Sequence, residues 1–366
     1  MGLLNMKLSK VASITLGCTV LISCGNPENF DGLGDDTQIR NYSSLFTPLP
    51  TNSIYPEGNP YNEAKERLGE LLYWDPILSG DQNVSCASCH HPDFGWADGR
   101  SFSIGSDGIG LGPNRFGSEV TPLHTPTIMN VAFSGISNNA IIENFVSGGY
   151  FWDLRADTLE EQALGPITNP VEMLGYSVSQ QEIMPEITMR LQSIPEYLVL
   201  FQLAFPEDGV INGINIAKAI ATFERKIISP NTRFDNFLLG EQAALSQQEI
   251  IGLNKFIDGG CARCHSGSML SDNEIHKGEA IIGNTVVRTP SLRNISLTAP
   301  YMHDGSRESL IDAIAAYENK GDIDVNVDDD DFNDIEAFLK TLNTDKFYSG
   351  KPDSVPSGLP VGGNIN

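Results

Sequence analysis

Cys86-Ala87-Ser88-Cys89-His90 recurs later in the chain as Cys261-Ala262-Arg263-Cys264-His265. Two thiols two residues apart can add to the two vinyl groups of one porphyrin, and the adjacent imidazole can then lie under the iron as its proximal ligand. C-x-x-C-H is therefore the attachment signature of c-type haem, met twice here. A thioredoxin-like redox pair or half a zinc site also uses C-x-x-C, but neither places a histidine directly after the second cysteine in both copies. The expectation is two covalently attached haem c groups. Cys86 and Cys89 carry one, Cys261 and Cys264 the other, with His90 and His265 as iron ligands.

The remaining cysteines speak for an exported chain. Lys7 and Lys10 precede an apolar run from Val11 to Ile22, too short to span a bilayer, and residues 1–23 read as a secretory signal. The run ends in Leu21-Ile22-Ser23-Cys24, which resembles a bacterial lipoprotein cleavage box, so Cys24 is expected to carry the lipid. Cys18 falls inside the signal, and no cysteine is left for a disulfide. The expected location is the periplasmic side of a bacterial cell envelope, lipid-anchored at Cys24, with no other membrane contact. The 366 residues suit about two domains. They hold 23 basic and 47 acidic side chains, a net charge of −24. That balance excludes nucleic acid as a natural partner. It suits attraction of a basic redox protein, and equally plain solubility.

Residues 24–60 are rich in Gly, Asn, Asp and Pro and read as a flexible tether. Helical spacing of apolar residues predicts helices over Asn62–Trp74, 158–165, 179–192, 196–205 and 215–228. Between the first haem motif and the second of these helices, residues 92–128 have no regular period, and loops this long are usually functional. The pattern breaks around Pro230–Asn236, which places a boundary between an N-terminal haem domain (61–235) and a C-terminal one (236–349). Ser246-Gln247-Gln248-Glu249 is a capping box that opens the helix leading to Cys261. Two more helices are expected over Arg307–Glu318 and Asp331–Leu342, and no strand of sheet length. The acidic run Asp328–Asp331 is not an EF-hand, because Val327 stands where the turn glycine is needed. It reads as an acidic first helical turn. Residues 350–366 look like a loose tail. The fold class is all-α: two cytochrome c-like haem domains with long irregular loops.

The strings "LGELLYWDPILSGD", "SCASCH", "TPTIMN", "FWDLRADTLEEQALGPITNPVEM", "CARCHSG", "RTPSLRN" and "APYMHDGS" follow one another in this order. From about Leu68 to Leu342 the ordered set resembles the bacterial di-haem cytochrome c peroxidases and the related MauG-type enzymes. The resemblance implies that the N-terminal haem is the peroxide site and that the C-terminal haem transfers electrons. It implies Trp152 between the haems, and Gln162, Pro166 and Glu172 around the peroxide. A carboxyl group can take the proton from the oxygen that binds iron and give it to the oxygen that leaves, which is the role expected of Glu172. Gln162 would order water or ligand, and Pro166 would narrow the pocket without chemistry of its own.

Two departures sharpen the reading. Many di-haem peroxidases carry Ser-Ile-Gly-His after the first haem, with a histidine that blocks the iron; here the string is Ser103-Ile104-Gly105-Ser106. Serine is a poor haem ligand, so the first iron is expected to keep an open sixth position. Where many peroxidases place a methionine ligand on the second iron, this chain has Tyr317, as MauG-type enzymes do; Met302 is the rival, and His303 is expected beside the ligand or a propionate. Family members also hold calcium through backbone oxygens, here of Arg288 and Pro290. The matching side-chain position is His124, a poor ligand for a hard cation, so calcium stays open. The expected function is reduction of hydrogen peroxide to water, with electrons from a small c-type cytochrome or another donor entering through the C-terminal haem. The alternatives are a MauG-type oxidase of a protein or small organic substrate, and a non-catalytic electron-transfer cytochrome. Oligomeric state is not legible in the sequence.

Overall fold

The computed structural model describes residues 37–134, 149–276, 285, 287–318 and 325–365. The signal segment, Cys24 and the first part of the expected tether lie outside them, as do residues 319–324 before the acidic run. The described chain is mostly helical: α1 (Glu63–Trp74), α2 (Leu159–Thr168), α3 (Ile183–Gln192), α4 (Pro195–Ala204), α5 (Gly213–Glu224), α6 (Arg233–Leu238), α7 (Gln247–Asp258), α8 (Leu310–Ala315) and α9 (Phe332–Lys340). The sheet described is one short antiparallel pair, β1 (Ile275–His276) with β2 (Val287–Arg288).

The helices begin where their caps dictate. The Asn62 side chain accepts from the backbone N–H groups of Ala64 and Lys65 and opens α1. The Ser246–Glu249 capping box opens α7 as expected. A second capping box, Thr232 with Asp235, opens α6 inside the stretch where the apolar pattern breaks. That short helix escapes a periodicity reading because six residues hold fewer than two turns.

One packing device appears twice. In the first half α1 crosses α5 at Gly69, where a Cβ would overlap the Ala219 carbonyl; in the second, α7 crosses α9 at Gly252, where a Cβ would overlap the Asp334 carbonyl. A side chain at either glycine would push the crossing helices apart. Around the first crossing Leu68, Leu72, Ile216, Ile220 and Phe223 form one core, which runs on to Ile227. Around the second, Leu253, Phe256, Ile335 and Phe338 form another, which starts at Phe234. The run Asp328–Asp331 leads into α9, and Lys255 sits 3.0 Å from both Asp331 and Asp334.

Two expectations fail. The tether reading does not hold for residues 37–60, because Tyr42, Phe46 and Leu49 are buried. Tyr42 Oη donates to Asn254 Oδ1 at 2.9 Å, and the Leu49 N–H donates to Asp235 Oδ1 at 3.0 Å. A few apolar anchors in a polar stretch are enough to seat it on a preformed core. The tail is not loose either. The Gly362 N–H donates to the Trp74 carbonyl at 2.7 Å and that of Asn364 to the Asn83 carbonyl at 2.8 Å. Ser88 Oγ, inside the first haem motif, donates to the Gly362 carbonyl at 3.0 Å, and Val355 and Ile365 are buried. Gly362 and Gly363 both have positive φ, so here glycine marks a fitted backbone. Deleting residues 353–366 is expected to lower holoprotein stability by on the order of 3 kcal/mol or more. Denaturant titration of the truncated chain checks it.

Candidate functional site

Each C-x-x-C-H motif folds as a tight turn, Cys86–Ser88 and Cys261–Arg263. The His90 N–H donates to the Cys86 carbonyl at 2.9 Å, and the His265 N–H to the Cys261 carbonyl at 3.0 Å. The imidazoles are held in matching ways. His90 Nδ1 lies 3.3 Å from the Trp96 carbonyl and His265 Nδ1 lies 3.0 Å from the Leu270 carbonyl. A carbonyl can only accept, so Nδ1 carries the proton and Nε2 keeps its lone pair. Burial lowers His90 to about 4 and also holds His265 below its usual value. Both rings are thus neutral at neutral pH, the form that binds a metal. Burial pushes the Cys89 and Cys261 thiols up to about 12, and no disulfide joins the four motif cysteines.

The second motif opens onto a cavity of about 300 Å³. Its wall holds Cys261, Cys264 and His265 with the apolar side chains of Met269, Leu310 and Ile314, and both Tyr317 and Met302 reach it. Burial raises the Tyr317 phenol to about 12. His303 is on the same wall, its Nδ1 buried with no partner among the described residues. A largely apolar slot with two cysteines, a free imidazole nitrogen and an unmatched polar atom fits a haem and its propionates. At the first motif, Glu224 interacts electrostatically with Cys86. Its Oε2 has no partner among the described residues, and burial raises its pKa to about 8. That motif fits the same group. Cys264, Asp272 and His276 also gather their ligand atoms within 4.8 Å, but Cys264 belongs to the second motif.

Trp152 is buried. Its Nε1 donates to the His124 carbonyl at 2.8 Å, and its own carbonyl accepts from the Arg288 N–H at 2.8 Å. Pro126, two residues past His124, interacts through its backbone with His90. His124, Pro126 and Trp152 all border the second cavity as well. The His124 ring is engaged elsewhere, with Nδ1 2.7 Å from the Arg100 carbonyl.

Near the first motif three chain segments interlock. The Ser106 N–H donates to the Val171 carbonyl at 2.9 Å, the Gly80 N–H to the Met173 carbonyl at 3.0 Å, and Asn83 Nδ2 to the Ser106 carbonyl at 2.8 Å. Arg115, buried, clamps the Ser103–Ser106 loop by donating to the carbonyls of Ile104 and Gly105 at 2.7 and 2.9 Å. Cys89 Sγ is 3.8 Å from the same Ile104 carbonyl. Glu172 lies in a single π-turn, Pro170–Leu174, a feature frequent at functional sites. Asn169 Nδ2 donates to Glu172 Oε1 at 2.8 Å, while Asn169 Oδ1 accepts from the Val171 N–H. Burial raises the Glu172 pKa, and Arg155 and Asn169 oppose the rise. Gln162 and Pro166 lie one turn apart on α2, both half-buried. Asn169 and Arg115 went unnoticed in the sequence. The Asn-Pro turn signal at Asn169-Pro170 could have flagged the first, whereas no local pattern marks the second.

Two motif turns with freed imidazole nitrogens, one of them joined to a carboxyl-bearing turn, define a di-haem oxidoreductase. The family model for di-haem cytochrome c peroxidase matches residues 63–243. Cytochrome c551 peroxidase of Pseudomonas aeruginosa is 34% identical over 82% of this chain and 85% of that protein. Methylamine utilization protein MauG of Methylorubrum extorquens is 31% identical over 81% of this chain and 83% of that protein. The crystal structure of a MauG-like protein associated with microbial copper homeostasis superposes with a TM-score of 0.67 at 28% identity, covering 81% of this chain and 95% of that one. The chain belongs to the di-haem cytochrome c peroxidase family, and it is a haem-dependent oxidoreductase.

Proposed function

We propose that the protein reduces hydrogen peroxide to water at the first haem, with electrons from a small redox protein such as a c-type cytochrome entering through the second. Two cytochrome c-like domains, 61–235 and 236–349, would each hold one haem, on Cys86, Cys89 and His90 and on Cys261, Cys264 and His265. Bound haem supplies the redox-active iron to which peroxide and electrons are delivered. The supporting observation is the half-buried Glu172 carboxyl, oriented by Asn169 in a turn bonded to the Ser103–Ser106 loop beside Cys89. Burial raises its pKa toward the working range of a proton shuttle. Glu172 takes the proton from one peroxide oxygen and returns it to the other. Gln162 orders the ligand, Pro166 narrows the pocket, and Ser106, a poor haem ligand, would leave room for peroxide. Trp152, bonded to both the His124 and the Arg288 backbone, couples the two sites. Tyr317, which lines the same cavity as His265, would serve with it to hold the second haem. The chain works on the periplasmic side of a bacterial envelope, anchored by lipid at Cys24.

The MauG-type alternative, oxidation of a protein or organic substrate by the same pair of sites, is favoured by the combination of Ser106 and Tyr317. Peroxide consumption decides between them when reduced cytochrome c, small quinols and candidate proteins are offered side by side. Turnover with cytochrome c is expected; covalent change of a protein substrate with no cytochrome turnover would replace this reading by the other.

A further inference from the structure

We propose that Tyr348 is a second oxidation site. In this role it passes electrons from phenols, hydroquinones and similar hydrogen-atom donors to the first haem through Trp96 and Tyr73, independently of the second haem. The inference rests on the reading of the first haem as the place where peroxide reacts.

The route is continuous. Tyr73 Oη donates to the His90 carbonyl at 2.7 Å, and the Trp96 carbonyl holds His90 Nδ1. The two rings are therefore tied directly to the proximal ligand. Their centroids are 5.7 Å apart, and both are fully buried. Trp96 Nε1 donates to the Tyr348 carbonyl at 2.8 Å. The Phe223 ring bridges the side chains, 6.2 Å from Trp96 and 5.8 Å from Tyr348. Tyrosine and tryptophan are the side chains that give up an electron most readily, and gaps of this size allow rapid electron tunnelling.

The end of the route follows from its protons. A tyrosine is oxidised easily only if its phenolic proton has somewhere to go. Tyr73 donates to a backbone carbonyl, which cannot keep a proton. Tyr348 Oη donates to the Glu70 carboxylate, which can. Lys226 lies 4.1 Å from the centroid of the Tyr348 ring and pairs with Glu66 at 2.9 Å. Its charge disfavours a ring cation, so loss of the electron requires loss of the proton. Arg67 pairs with the other Glu70 oxygen at 2.5 Å, which leaves Oε1 to the Tyr348 phenol. Tyr348 is also part-exposed, whereas Tyr73 and Trp96 are not.

The step balances. Tyr348 sends one electron inward and its phenolic proton to Glu70, leaving a neutral phenoxyl. A donor then gives a hydrogen atom, restoring the phenol and becoming a radical itself, and Glu70 releases its proton to water. Two such passages supply the two electrons and two protons that turn one hydrogen peroxide into two waters.

The test mixes oxidised holoprotein with peroxide in the absence of donor. It follows haem absorption, freeze-quench electron paramagnetic resonance, and spin-trap adducts mapped by mass spectrometry. The wild type should show a tyrosyl radical and an adduct on Tyr348. Tyr348→Phe, which keeps the backbone bond to Trp96, should respond as before in haem absorption but lose most of the radical signal. Hydroquinone oxidation should fall at least fivefold in the same variant. A radical unchanged in Tyr348→Phe, or haems that respond to peroxide with no tyrosyl radical, overturns this proposal and leaves the peroxidase reading standing. Haems that do not respond to peroxide at all overturn both.

Discussion

Glu172→Gln is expected to lower kcat/KM for peroxide by about 10²- to 10⁴-fold, the usual contribution of a positioned acid–base group. Both haems should remain attached, because the cysteines and histidines that would hold them lie on other segments. The amide keeps the shape of the carboxyl but cannot take a proton. Asn169 Nδ2 donates to Glu172 Oε1, a bond the amide oxygen can still accept, so the variant separates proton transfer from positioning. Burial raises the Glu172 pKa above the usual carboxylate range, and the carboxylate is the form that accepts the first proton. The acid limb of the kcat/KM profile should therefore lie above the pH at which an exposed glutamate titrates, and vanish in Glu172→Gln. Asn169→Ala should act in the same direction but more weakly, by about tenfold, through lost orientation. Stopped-flow rates across pH provide the measurement, and an unaltered profile would remove Glu172 from the mechanism.

Tyr317→Met is expected to raise the reduction potential of the second haem by on the order of hundreds of millivolts, within the span of about 0.8 V that axial ligands cover. A phenolate favours ferric iron, whereas a thioether favours the reduced state. Burial holds the Tyr317 phenol near pKa 12, so an ionised Tyr317 at neutral pH requires a bound cation. A phenolate-to-iron charge-transfer band in the wild type would be direct evidence for that bond. Met302, on the same cavity wall, gives the competing outcome. If it is the ligand, the wild type should show a methionine–iron band, and Tyr317→Met should leave the potential unchanged.

Sequence alone was enough to find the two haem motifs and the helices around them. Both signals are local: C-x-x-C-H is a set of bonds to one group, and apolar residues at helical spacing form one buried face. Helix α1, the Ser246 capping box and the acidic start of α9 were all legible for that reason. The part played by residues 37–60 and 353–365 was decided only by tertiary structure. Polar, Gly- and Pro-rich segments have no period to read, and Tyr42, Phe46, Val355 and Ile365 become anchors only against cores built elsewhere. The same holds for Asn169 behind Glu172, Arg115 on the Ser103–Ser106 loop, and the Tyr73–Trp96–Tyr348 series. Their partners lie far away along the chain, and hydrogen bonds between distant segments leave no spacing in the sequence.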